Sequence, residues 1–72
     1  MSLPRISGKE CVRILMKAGF HEVRQQGSHV VMRKDNPFTQ LVVPLHKELD
    51  RGTLRAIIRQ SGLSLEEIDE MR

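Results

Sequence analysis

Seventy-two residues, 39% of them hydrophobic and only two aromatic, leave room for one small domain with a modest core. A chain of this length buries only roughly 60% of its extended surface on folding. The net charge of +3 is unevenly placed: residues 64–72 hold four acids and one arginine, net −3, which leaves +6 on the other 63. A single cysteine, Cys11, excludes an internal disulfide, and no stretch approaches the ~20 apolar residues of a membrane span or resembles a signal peptide, so a cytoplasmic protein is expected.

The first helix opens at Ser7, where Ser7 and Glu10 have the spacing of a capping box and Ile6 and Cys11 stand in the staple positions. Cys11, Val12, Leu15, Met16 and Ala18 supply its apolar stripe, and Gly19 fits the position just past its C-terminus. Three short strands follow, at about 20–26, 29–34 and 40–44. Gly27-Ser28 makes a tight hairpin between the first two, and Asp35-Asn36-Pro37 turns the chain into the third. Pro44 ends that strand and suits a sheet edge. A second helix runs from about Arg51 to Ser61, with Asp50 as N-cap, Leu54, Ile57 and Ile58 as buried face and Gly62 as stop. A short third helix starts at Ser64, with Glu67 completing a capping box and Leu63 and Ile68 as staple. The expected fold is α+β: helix, three-stranded antiparallel sheet, helix, short C-terminal helix. Both long helices should cover one sheet face and leave the other open.

Each long helix also carries a basic row at four-residue spacing: Lys9, Arg13 and Lys17 on the first, Arg51, Arg55 and Arg59 on the second. Arg24, Arg33 and Lys34 add positive charge from the strands. Such rows are also what any solvated helix face shows. With Phe20 and Phe38 as the only aromatics, composition favours recognition of RNA shape and phosphate over base stacking.

Among the three histidines, His29 stands apart because it follows Gly27-Ser28 at a strand junction. A glycine there lets the backbone turn sharply, and a histidine is the side chain suited to proton transfer near neutral pH. Val30, Val31 and Met32 are all apolar, so alternation alone does not say which face His29 shares, and a structural role at the strand end stays open. His21 beside Glu22 reads as a surface residue, and His46 lies in the loop after the third strand. Ser28 and His29 point to opposite faces and do not form a dyad, so Ser28 shapes the turn. No H-E-x-x-H, C-x-x-C or phosphate-cradling glycine motif is present, and neither a metal site nor a cofactor is expected.

At this point the residues resemble a known family, the HicA mRNA interferase toxins of bacterial HicA–HicB toxin–antitoxin modules. The resemblance rests on Ala18-Gly19-Phe20, Arg24-Gln25-Gln26-Gly27-Ser28-His29, Val42-Val43-Pro44 with His46, and the run from Gly52-Thr53-Leu54 to Gly62-Leu63. It covers nearly the whole chain in order. Arg51 stands where many relatives carry a proline. The resemblance implies a double-stranded-RNA-binding-domain-like fold, endoribonuclease activity on mRNA that arrests translation and growth, and neutralisation by a HicB-like antitoxin. It maps the family's functional histidine onto His29, with Gly27 as companion.

The expected chemistry is metal-independent cleavage in which the ribose 2′-hydroxyl attacks the adjacent phosphorus and His29 acts as general base or acid. Arg33, Lys34 or a helix-row cation would stabilise the phosphoryl charge. His46 and Lys47 are candidates for the second proton-transfer group. The contrasting readings are a non-catalytic RNA-binding module of the same fold, in which loss of His29 is innocuous, and a protein-interaction domain without RNA affinity.

Overall fold

The computed structural model describes residues 3–72. In chain order it comprises α1 (Gly8–Lys17), β1 (His21–Gln26), β2 (His29–Asp35), β3 (Phe38–Pro44), α2 (Arg51–Ser61) and α3 (Leu65–Met71). The strands form one antiparallel sheet in the order β1-β2-β3. This is the α+β order read from the sequence, and it is consistent with a double-stranded-RNA-binding-domain-like fold. Strand β3 starts two residues earlier than the expected position 40, because Asn36 and Pro37, joined by a cis peptide, alone make the turn and Asp35 already pairs with Phe38.

Helix α1 is started by the Ser7 hydroxyl, which accepts from the Glu10 N–H at 3.0 Å. The reciprocal half of the expected capping box is missing, since the Glu10 carboxylate faces Arg72 at 3.6 Å instead. The buried stripe also differs from the expected one. Cys11, Ile14 and Leu15 are buried, Val12 and Ala18 are partly buried, and Met16 is 55% exposed. Ile14 lies one turn from Cys11 and Ala18, so the 3.6-residue period selects it over Met16. At α3 the full capping box is present: Ser64 and Glu67 exchange both bonds, at 2.8 and 3.1 Å. Gly62 ends α2 at φ 76°, the left-handed conformation that glycine adopts without penalty.

The core is one cluster between the helices and one face of the sheet. It contains Ile6, Cys11, Ile14, Leu15 and Phe20 from the N-terminal part, Val30, Met32, Leu41 and Val43 from the strands, and Leu49, Leu54, Ile57 and Ile68 from the C-terminal part. Val31 is buried but stands outside this cluster, flanked on the opposite face by its register partners Arg24 and Val42. The face shared by His29, Val31 and Arg33 is therefore the one the helices leave open.

Strand β1 contains an irregularity that alternation did not show. Glu22 pairs with Met32 but Arg24 pairs with Val31, so Val23 is the extra residue of a β-bulge. Counted from the two-residue turn, Gln26, Gln25 and Arg24 pair regularly with His29, Val30 and Val31, so Arg24 lies on the open face by plain alternation. Beyond Val23 the bulge reverses the phase, setting Glu22 opposite Met32 and His21 opposite Arg33 on the open face.

Gly8 sets how closely α1 approaches the sheet. Its N–H donates to the His46 carbonyl at 2.9 Å, and a Cβ built on it would come within 2.7 Å of the Leu45 Cα and 2.9 Å of the Pro44 carbonyl carbon. Backbone atoms cannot step aside as a flexible side chain can. Gly8→Ala should destabilise the protein by about 1–2 kcal/mol, overpacking outweighing the gain in helix propensity, and urea denaturation measures this directly.

Asp50 caps α2 by accepting from the Thr53 N–H at 3.1 Å. Hydrogen bonding from Thr53, hydroxyl first and N–H second, holds the Asp50 carboxyl below its ordinary value of 3.8. A carboxyl depressed in the folded state contributes stability above the ordinary value and loses it as the pH falls through the folded one. Melting temperatures followed downward from about pH 5 should therefore fall less steeply in Asp50→Asn, which keeps the cap but does not titrate.

Candidate functional site at the first hairpin

The turn between β1 and β2 is the two-residue type with Gly27 at its first central position. Gly27 has φ 58°, and no non-glycine residue among those described has a positive φ, so Ser28 does not. That pairing is the signature of a type II′ hairpin, whose twist matches the flanking strands. The Gln25 side-chain amide donates to the Gly27 carbonyl at 3.0 Å and steadies the turn from within β1. No atom lies within 4 Å of a Cβ placed on Gly27. Backbone conformation, not crowding, requires glycine there.

His29 is the first residue of β2, paired with Gln26 on one side and Pro44 on the other. It is exposed, and among the described residues its side chain enters no hydrogen bond or ion pair. The Leu45 N–H donates to the Ser28 carbonyl at 2.6 Å, which ties the chain after β3 to the hairpin. The next residue, His46, gives its carbonyl to Gly8, and the Leu49 N–H donates to the Ile6 carbonyl at 2.9 Å. Residues 45–49 are thus stitched between the hairpin and the start of α1. One end of the molecule gathers Gly27, Ser28 and His29, then His46 and Lys47, then Lys9 beside Gly8. His29, His46, Lys9 and Lys47 are all exposed.

Other expected site residues lie elsewhere. Arg33 is four residues along β2, roughly 13 Å from His29 at the usual strand rise. Its guanidinium is engaged, with Nε and Nη2 both donating to Gln40 Oε1 at 3.0 and 2.9 Å and its carbon 5.5 Å from the Phe38 ring centroid. Lys34 points to the helix side, its Nζ 5.8 Å from the Phe20 ring centroid. Neither stands beside His29, which corrects the expectation that they stabilise charge developing there. Along α1, Arg13 and Lys17 follow Lys9 at one-turn intervals, and Lys17 Nζ donates to the Met71 carbonyl at 2.9 Å. Arg51, Arg55 and Arg59 are exposed on α2.

Two features of this end escaped the sequence reading: Gly8 and the Gln25 amide. A glycine in the first turn of a helix, where a better helix former costs nothing unless space is short, was the available signal for Gly8. The Gln25 bond had none.

The rest of the molecule offers little competing chemistry. Burial, with the Glu10 charge adding to it, pushes the Cys11 thiol up to about 11, so it stays protonated and unreactive. Among the described residues no group of three or more His, Cys, Asp and Glu side chains is placed to share a metal ion. Two hollows on the α2 side, of about 160 and 270 Å³, are lined by residues such as Leu3, Leu54, Arg55 and Ile58, and neither reaches a histidine. The residues of the His29 end are exposed and line neither hollow, and an exposed site suits a macromolecule better than an enclosed small ligand.

Residues 8–63 match the sequence profile of a family described as HicA toxin of bacterial toxin-antitoxin. The chain belongs to the HicA toxin family. The match begins at Gly8 and spans the hairpin, the His46 loop and all of α2, so it takes in every part of the end just described. No curated protein matches the chain significantly. As a HicA toxin the protein is the toxin member of a toxin–antitoxin system, with a HicB-type antitoxin as its partner. No helix among the described residues is long and apolar enough to cross a membrane.

Because Gly27 is held by conformation alone, Gly27→Ala should cost about 1–2 kcal/mol in urea denaturation, and Gly27→Asn less, since asparagine tolerates positive φ better.

Proposed function

We propose that this HicA toxin is a metal-independent endoribonuclease that cleaves mRNA, with His29 as a proton-transfer group. The observation that carries the reading is the placement of His29. It is an exposed imidazole without a side-chain partner, fixed at the first residue of a strand, at the end of the molecule where the 45–49 loop brings a second imidazole and the Lys47 ammonium and the start of α1 brings Lys9. A histidine kept only to finish a strand would be expected to spend its nitrogens on neighbouring backbone.

In this mechanism the ribose 2′-hydroxyl attacks the adjacent phosphorus and gives its proton to a general base. The bond from phosphorus to the 5′-oxygen of the next nucleotide breaks, and that oxygen takes a proton from a general acid. The products are a 2′,3′-cyclic phosphate and a 5′-hydroxyl. His29 fills one of the two roles, and His46 or Lys47 is the candidate for the other. Lys9 and Lys47 are the cations best placed to offset charge on the phosphoryl oxygens, a contribution that needs donors positioned before the reaction. An acidic or apolar surface of the antitoxin laid over the His29 end would block access, and the exposed cations there favour an acidic one. Such a toxin would act on mRNA in the bacterial cytoplasm.

The test is incubation of the purified protein with a structured messenger RNA in EDTA, beside His29→Ala. Wild type should shorten the RNA. His29→Ala should be slower by about 10²–10⁴-fold, the usual worth of one positioned proton-transfer group, with an unchanged melting temperature because the side chain is exposed. Equal cleavage by both proteins would remove His29 from the chemistry. Products ending in 3′-hydroxyl, or cleavage of an all-deoxy substrate, would refute attack by the 2′-hydroxyl. Intact RNA in both lanes together with salt-dependent binding would leave the non-catalytic RNA-binding module.

A further inference from the structure

The open face of the sheet holds a feature that the hairpin site does not use. Composition argues against base stacking, because the chain has only two aromatic residues. The structure spends one of them, Phe20, in the core and leaves the other, Phe38, 66% exposed at the start of β3. Phe38 belongs to the open face. The register pairs it with Asp35, two residues beyond Arg33 on the strand whose outward residues begin at His29. Val42 on the same face is 46% exposed. An aromatic ring left exposed beside a cation is an arrangement on which a planar base can stack.

The ring is also prepared for a planar ligand. Arg33 is held against it by the two bonds to Gln40 Oε1, which use two of the five guanidinium donors. The remaining three are free for phosphate or a base edge. Arg24, opposite Val31, adds a further cation to this face, and among the paired strand residues Asp35 at the far turn is its only acid. Cations for the backbone and an exposed aromatic for a base are the two elements of a single-strand binding surface.

We propose that the open sheet face is a track for single-stranded RNA, running from His29 along β2 to a base-stacking subsite formed by Phe38 with Arg33 and Gln40. The proposal rests on the reading of the protein as a ribonuclease acting at His29, and adds the form of the substrate. Because His29, Val31 and Arg33 share one side of a single strand, an RNA chain held at His29 that continues along β2 meets the Phe38 ring roughly 13 Å or more away, within the span of a few nucleotides. The subsite positions RNA and takes no part in the bond cleavage.

The test uses a fluorescent single-stranded RNA with 2′-O-methyl riboses, which cannot be cleaved by the route above, and a duplex of the same sequence. Anisotropy titrations compare wild type, Phe38→Ala and Phe38→Trp. Phe38→Ala should weaken single-strand binding roughly 5- to 100-fold, the range of one lost stacking contact, and leave duplex binding unchanged. Phe38→Trp should restore it, and all three proteins should melt alike because residue 38 is exposed. Absence of single-strand binding by wild type, indifference to Phe38→Ala, or an equal loss on the duplex would each overturn the proposal, the last two giving the face to another use. Since this RNA cannot react, the result is independent of turnover. Stacking at Phe38 in a protein that leaves ordinary RNA intact would refute the ribonuclease reading alone, and cleavage with a silent Phe38 would refute the track alone.

Discussion

The arrangement of this protein depends on one backbone-to-backbone approach, that of Gly8 to the Pro44–His46 segment. It replaces a side-chain interface with a hydrogen bond and van der Waals contact between main chains, which only a residue without Cβ permits. Through it the start of α1 is locked to the end of β3, and through the Leu45–Ser28 bond the end of β3 is locked to the first hairpin. Three segments far apart in sequence thereby meet at one end. The hydrophobic core fixes the helices over the sheet, but it is this chain of backbone contacts that brings His46, Lys47 and Lys9 to the neighbourhood of His29.

Charge is distributed in keeping with that arrangement. The acidic α3 packs near α1, where Arg72 bridges Glu10 and Asp69 and where Lys17 is consumed by the Met71 carbonyl. These exposed contacts are each worth about 0–1 kcal/mol. Their larger effect is on where positive charge remains free. The far end of the α1 row is drawn to α3, while Lys9, at the hairpin end, has no partner among the described residues. The basic character read from composition is thus concentrated on the open sheet face, the hairpin end and the outer side of α2.

The fold was legible in the sequence because its signals are local. Ser7, Asp50, Ser64 and Gly62 announce helix ends through bonds made within four residues, and Gly27-Ser28 announces a hairpin through backbone conformation. The position of His29 at the start of β2 was legible for the same reason, as the residue after that turn. What stayed hidden depends on partners distant in sequence. Arg33 and Lys34 looked like neighbours of His29, but strand rise and alternation send one along the sheet and the other to its opposite side. The exchange of faces by His21 and Glu22 at Val23 had no local signal, because a bulge is defined by the strand opposite. Phe38 looked like a loop residue because the turn before β3 is shorter than its composition suggested. Gly8 required knowing which backbone lies above it.

The bulge at Val23 has a consequence for the free chain as well. Strand β1 is a sheet edge, and an edge offers its unpaired N–H and C=O groups to any other strand of matching spacing. At Val23 that spacing is broken, so an incoming strand can pair regularly with only three residues, Arg24–Gln26, before losing register. The same one-residue insertion that moves Glu22 off the open face thus makes the β1 edge a poor template for another copy of the chain.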